Sequence, residues 1–216
     1  VGQSNMAGRG DLTPENALAP SDCFMLRMGR WQPLHEPINP TVPKAAQVAA
    51  SFAEQYSREV APIGLIPCAD GGTSITEWQR GDLLFDHAVM QAKLAARTSK
   101  LQESFGIKRI RLLEPGRIGQ LSAAVSGHDD AFRQELRDLP SCLANWAPGK
   151  RFYLDPAALV TEFNRRLPAL AAEMPNCCVV SAKALNCRGD GLHLIRRLRE
   201  FGRRYYRAWQ ELAKKH

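Results

Sequence analysis

At 216 residues, 44% hydrophobic and 24% charged, the chain has the composition of one ordinary globular domain with a full core. No apolar run approaches the ~20 residues that a membrane-spanning helix needs, which argues against a membrane partner. The net charge of +7 raises a nucleic-acid reading. However, Lys and Arg are spread along the chain, with some density from Arg196 to Arg207, and aromatics do not interleave with them as a stacking platform requires. The basic run therefore reads as a solvated helix face, and nucleic acid is not an expected partner.

In chain order, "KAAQVAASFAEQYSREV" (Lys44 to Val60) has helical periodicity. "IGLIPCA" (Ile63 to Ala69) is a short apolar run before turn residues, which predicts a buried strand. A helix follows from Leu83, stopped by Gly106, and then a strand over "IKRIRLL" (Ile107 to Leu113). "HDDAFRQELRDL" predicts a helix ended by Pro140. The next helix opens on Pro156, with Pro168 as a kink or break. "CCVVSA" (Cys177 to Ala182) predicts a strand, and "LREFGRRYYRAWQELAKK" a closing helix from Leu198. This alternation predicts a single α/β domain, with a parallel sheet covered by helices on both faces. The chain opens on Val1 rather than Met and reads as a fragment or a mature form. Its six cysteines (Cys23, Cys68, Cys142, Cys177, Cys178 and Cys187) include no CxxC and no zinc spacing. Their spacing does not indicate a disulfide, although Cys23–Cys68 and Cys178–Cys187 are the pairings to consider.

Three stretches carry chemistry. In "GQSNMAGRG" (Gly2 to Gly10), Ser4 stands in a Gly-rich turn after a strand, a position suited to an exposed nucleophile whose own N–H helps hold an oxyanion. A serine in such a turn is more often only a turn residue. "PCADGGTSITEW" (Pro67 to Trp78) runs a strand into Gly71 and Gly72, where the backbone can approach a ligand and aim N–H groups at it. The plain alternative is a left-handed turn, which spacing alone favours. In "GDGLHLI" (Gly189 to Ile195), Asp190 and His193 are three residues apart, so that the carboxylate can fix the imidazole tautomer within one turn. The plain alternative here is an incidental surface pair.

Together these stretches resemble the SGNH-type hydrolases, and among them the carbohydrate esterases that include sialate O-acetylesterases and acetylxylan esterases. The resemblance covers nearly the whole chain. "GQSNMAGRG" looks like the nucleophile block, "GGTSITEW" like the second block, and "GDGLH" with "LREFGRRY" like the final block. "RWQPLHEPIN" (Arg30 to Asn39) looks like the segment between the first two. The resemblance implies a three-layer α/β/α sandwich of flavodoxin-like type, with Val1 ending a first strand that is otherwise absent. It also implies removal of O-acetyl groups from a sialic acid- or xylan-type carbohydrate, in a secreted or periplasmic setting. In these terms Ser4 is the nucleophile, His193 the general base and Asp190 its orienting acid. Ser4, Gly71 and Gly72 hold the oxyanion, while Gln3, Asn5 and Thr73 contact substrate. This chemistry needs no metal or organic cofactor.

One family block departs. After the strand that follows the long helix the family tends to read Trp-x-Gln-Gly-Glu-Ser-Asp, with polar side chains on the oxyanion side. This chain has "LLEPGRIGQ" (Leu112 to Gln120). Each residue from Leu113 to Gln120 admits a codon for which the frame one base later reads Trp-Asn-Gln-Gly-Glu-Ser-Asp-Ser. The segments at 141–146 and 194–197 admit family-like readings in the same way. These loops are therefore read as products of small compensated frame changes, the rival being true divergence. On that reading Arg117, Arg196 and Arg197 replace other residues and inflate the charge. The esterase of the chain as it stands is expected to be impaired. The alternative is an inactive remnant with a carbohydrate-binding or structural role.

Overall fold

In the computed structural model the described residues are 1–2, 4–39, 42, 45–73, 75–98, 111–113, 141–144, 164–169, 171–172, 177–185 and 197–214. For 75–76, 111–113 and 141–144 only the backbone is described. The architecture is mixed α/β. A short helix α1 (Ser4–Ala7) is followed by strands β1 (Gly10–Asp11), β2 (Cys23–Arg27), β3 (Arg30–Pro33) and β4 (Ala45–Ala46). Helix α2 (Val48–Glu59), strand β5 (Ile63–Leu65), a 3-10 turn (Ile75–Trp78) and helix α3 (Leu83–Thr98) come next. Strands β6 (Arg111–Leu113), β7 (Ser141–Ala144) and β8 (Cys177–Val180) precede helix α4 (Leu198–Ala213). Residues 164–169, with Pro168 among them, are helical.

Strand β2 pairs in parallel with β5, and β7 pairs in parallel with both β6 and β8. Two pairings are antiparallel: β1 with β4, and β2 with β3. The predicted strands at 63–69, 107–113 and 177–182 thus appear as β5, β6 and β8; β5 and β8 are shorter than their apolar runs, and residues 107–110 lie outside the described residues. The helices expected from Leu83 and Leu198 appear as α3 and α4, and the one expected from Lys44 appears as α2 only from Val48, because Ala45–Ala46 instead pair with β1. The expected helix at 128–139 lies outside the described residues, as does part of the one that opens on Pro156.

Helix α4 is amphipathic because Leu198, Phe201, Tyr205, Trp209 and Leu212 recur at three- and four-residue spacing and are all buried. They join Val48, Phe52 and Tyr56 of α2 in the largest apolar cluster. The Tyr56 and Trp209 rings are 4.8 Å apart, and Phe52 meets Tyr206 edge-on at 5.8 Å. Close approach of the two helices depends on Gly202. A Cβ there would overlap Ser51 Oγ and the Val48 carbonyl, and lie 3.1 Å from the Phe52 nitrogen. Backbone cannot yield as a flexible side chain can. Gly202→Ala is therefore expected to destabilise by about 1–3 kcal/mol, despite the better helix propensity of alanine. Urea unfolding monitored by circular dichroism measures this, and an unchanged midpoint would refute the close packing.

The four cysteines whose side chains are described (Cys23, Cys68, Cys177 and Cys178) are free thiols, so neither considered disulfide forms. Burial pushes the Cys23 and Cys68 thiols above their usual range and keeps them protonated. Cys68, two residues before Asp70, is thus a packing residue rather than a rival nucleophile.

Candidate active site

The first two motifs meet. The N–H of Asp70 donates to the carbonyl of Gly2 at 2.9 Å, which joins the residues before α1 to the segment leaving β5. On the other side of α1, the Arg9 guanidinium rests against Gly71. The nucleophile stretch therefore touches the Gly-Gly turn through residues on both sides of Ser4.

Ser4 opens α1, and the N–H of Gly8 closes that turn on the Ser4 carbonyl at 3.0 Å. Gly8 has φ +111, and a Cβ there would sit 2.6 Å from Gln47 Cγ, so both backbone and space call for glycine. An exposed nucleophile was expected, but Ser4 is only 4% exposed. The cause is packing: Met6 and Ala7 of the same turn belong to the main core cluster and draw α1 inward. Asn5 is likewise buried.

In the second motif the two glycines have different reasons. Gly72 has φ +82 and open space where a Cβ would stand, so its conformation requires glycine. Gly71 has an ordinary φ, but its Cβ would run into Arg9 Nη2. The Thr73 hydroxyl donates to the Asp70 carbonyl at 2.9 Å and accepts from Trp78 Nε1 at 3.1 Å. Thr73 is thereby committed to the shape of the turn. The Asn39 side-chain amide donates to the Ala69 carbonyl and pins the segment just before the turn.

A buried polar scaffold lies behind α1. The Glu36 carboxylate, fully buried, accepts from the N–H groups of Leu18 and Gln47, both at 2.9 Å. It also accepts two bonds from Arg199 of α4, one of them at 2.7 Å from Nη1 to Oε1. Arg199 further donates to the carbonyls of Gln47 and Asn16, at 3.2 and 3.0 Å. A buried charge is tolerable when paired and fully hydrogen-bonded in this way. Gln47 passes the scaffold on to α1. Its Nε2 donates to the Ala7 carbonyl and its Oε1 accepts from the Ile38 N–H, each at 2.5 Å.

Of the residues assigned from sequence, Ser4, Asn5, Gly71, Gly72 and Thr73 fall in this one region, whereas Gln3, Asp190 and His193 lie outside the described residues. Both flanks of the segment that holds Asp190 and His193 are described. Leu185 and Leu198 belong to the same apolar cluster as Met6, Ala7 and Ala69. Arg204 of α4 donates to the carbonyls of Ser181 and Lys183, at 2.7 and 2.8 Å, and fastens the chain after β8 to that helix. Sequence reasoning assigned no role to Arg9, Asn39 or Gln47, or to the Glu36–Arg199 pair. It did single out the two stretches that carry that pair, "RWQPLHEPIN" and "LREFGRRY".

Residues 1–107 match the family model described as carbohydrate esterase, sialic acid-specific acetylesterase. A protein of Arabidopsis thaliana named as a probable carbohydrate esterase is 28% identical over 226 residues, covering 89% of this chain and 81% of that one. The crystal structure of an Arabidopsis thaliana protein superposes with a TM-score of 0.74 at 25% identity, over 99% of this chain and 95% of that one. A carbohydrate acetylesterase from Xanthomonas citri shares the fold, with a TM-score of 0.60 at 19% identity, over the whole of this chain and 56% of that one. The resemblance carried by the motifs is thus found again in these comparisons, and over its first 107 residues this chain is similar to the carbohydrate esterases of the sialic acid-specific acetylesterase family.

Proposed function

We propose that this protein is a serine esterase that removes O-acetyl groups from a carbohydrate of sialic acid or xylan type. Ser4 Oγ attacks the acetyl carbonyl while His193 takes its proton, with Asp190 orienting the imidazole. The N–H groups of Ser4 and of Gly71 or Gly72 hold the tetrahedral oxyanion. His193 then returns the proton to the sugar oxygen as the carbon–oxygen bond breaks. Water, activated by the same histidine, releases acetate from the acetyl-serine and restores Ser4. Gln3 and Asn5 contact the sugar, and Thr73 acts through the turn it fixes. The fold proposed is one α/β/α domain of SGNH type, in line with the parallel pairings of β2 with β5 and of β7 with β6 and β8.

The observation that carries this reading is the joining of the nucleophile stretch to the Gly-Gly turn, through the Gly2–Asp70 bond on one side of Ser4 and Arg9 on the other. The common cluster of Met6, Ala7, Ala69, Leu185 and Leu198 supports it, because described residues on both sides of the Asp190–His193 segment share a core with α1. The test is chemical labelling. A fluorophosphonate should add once, to the peptide that contains Ser4, and should stop acetate release from acetylated sugar in proportion to labelling. Labelling elsewhere, or acetate release that survives complete labelling, would refute the assignment.

A further inference from the structure

Helix α1 is a single turn, Ser4–Ala7, and a single turn has no stability of its own. Its direction is set by what holds its last carbonyl groups, which find no partner within a helix. The Gly8 N–H takes the Ser4 carbonyl at 3.0 Å, and Gln47 Nε2 takes the Ala7 carbonyl at 2.5 Å. Gln47 stands at the N-cap of α2 with extended backbone, where Ser, Thr, Asp or Asn ordinarily caps its own helix. Its side chain makes no such bond and instead joins Ala7 to Ile38. Gly8 makes room for it, since a Cβ there would meet Gln47 Cγ at 2.6 Å.

Gln47 is itself held from behind. Its N–H donates to Glu36 Oε1 at 2.9 Å, and its carbonyl accepts from Arg199 Nη1 at 3.2 Å. Arg199 grips both oxygens of that same carboxylate. Gln47 is 1% exposed and the Glu36 side chain 0%, so neither can swing into solvent. A buried ion pair is weak evidence for stability, because apolar residues of similar volume often serve as well. What this pair adds is direction: each partner is fixed by several bonds, and together they fix the residue that reaches α1.

We propose that Gln47 is a positioning residue for the esterase, and that the Glu36–Arg199 pair keeps it in register with α1. This rests on the esterase reading, in which Ser4 supplies both the attacking oxygen and an oxyanion N–H. Both belong to one turn, so a tilt of α1 about the Ala7 carbonyl moves them together out of the geometry of attack. Arg199 lies in the first turn of α4, the helix that follows His193 in the sequence. The pair therefore joins the helix after the proposed base to the turn of the proposed nucleophile.

Gln47→Met keeps the length of the side chain and removes both of its bonds. The rate at which a fluorophosphonate labels Ser4, and kcat for 4-nitrophenyl acetate, should each fall by between about tenfold and about a hundredfold, the scale of a misplacement of about 1 Å. KM should change little, and exchange of the Gly8 amide hydrogen should quicken as α1 loosens. Arg199→Lys is the milder variant. It retains the charge beside Glu36, and with it the fold, but gives up the guanidinium fork, and should show a smaller loss of the same kind. Tyr206→Phe is the control for stability alone. It removes the bond from Tyr206 Oη to Glu59 Oε2, 2.9 Å long, at the other end of α2, and should leave labelling at the wild-type rate. A folded Gln47→Met or Arg199→Lys variant that is labelled as fast as the wild type overturns the proposal, as does equal slowing in Tyr206→Phe. The two readings fail separately. A wild type not labelled at Ser4 refutes the esterase and the positioning role with it, whereas labelling at Ser4 that the variants match refutes the positioning role alone.

Discussion

Ser4→Ala is expected to remove nearly all acetylesterase activity, between about a thousandfold and about a millionfold in kcat, because the proposed mechanism loses the oxygen that attacks the acetyl carbonyl. The buried thiol of Cys68 offers no substitute, since burial pushes its pKa up and keeps it protonated. The fold should survive. Helix α1 is anchored through Met6, Ala7 and the Gln47–Ala7 bond, none of which the substitution removes. His193→Ala should cost about as much. The double variant should cost hardly more than either alone, since nucleophile and base act as one unit. Steady-state release of acetate from an acetylated sugar, with circular dichroism to verify folding, gives the answer. Multiplying losses in the double variant would mean that Ser4 and His193 do not cooperate, and undiminished turnover in Ser4→Ala would remove the serine mechanism altogether.

How far the sequence discloses this site varies with the kind of interaction. Helices α2, α3 and α4 were legible because a buried face repeats every three to four residues. Strands β5, β6 and β8 were legible as apolar runs. The β2–β3 hairpin was not anticipated. Its two-residue turn is Met28–Gly29, with φ of +51 and +73, the mirror-image turn that hairpins favour. Gly29 gives the expected signal, but Met28 does not, because bulky side chains seldom occupy that region. The loop between Leu34 and Asn39 was placed by resemblance alone. Its order comes from Glu36 and Asn39, whose partners Arg199 and Ala69 are distant in sequence and follow no period. The burial of Ser4 was likewise unreadable, for it depends on Met6 and Ala7 meeting a core assembled from α2 and α4. Gly71 shows the limit most plainly: a Gly-Gly pair suggests two conformational needs, whereas one of the two glycines serves only to make room for an arginine.

Replacing Leu113 to Gln120 by Trp-Asn-Gln-Gly-Glu-Ser-Asp-Ser is expected to raise kcat by at least about a hundredfold, the lower end of what one oxyanion donor contributes. Strand β6 ends at Leu113 and pairs in parallel with β7, so the block begins at a carboxyl end, where α/β folds present their ligand-binding loops. Of the residues now present, only Glu114, Arg117 and Gln120 have polar side chains. A proline fixes its own φ and restricts the residue before it, so a block with Pro at its third position is expected to differ in backbone from one that reads Gln-Gly-Glu-Ser-Asp. The match to the family model also stops at residue 107, shortly before the departure. Ser4, Gly71 and Gly72 all precede that limit, so the proposed nucleophile and oxyanion turn are the same in both versions of the block. KM should change less than kcat, because donors aimed at the oxyanion act on the transition state rather than on the bound ester. Two chains that differ only in this block, compared on one acetylated sugar, provide the measurement. Equal kcat values would mean that "LLEPGRIGQ" is a working loop of this esterase, and that its difference from the family block is divergence rather than a displaced frame.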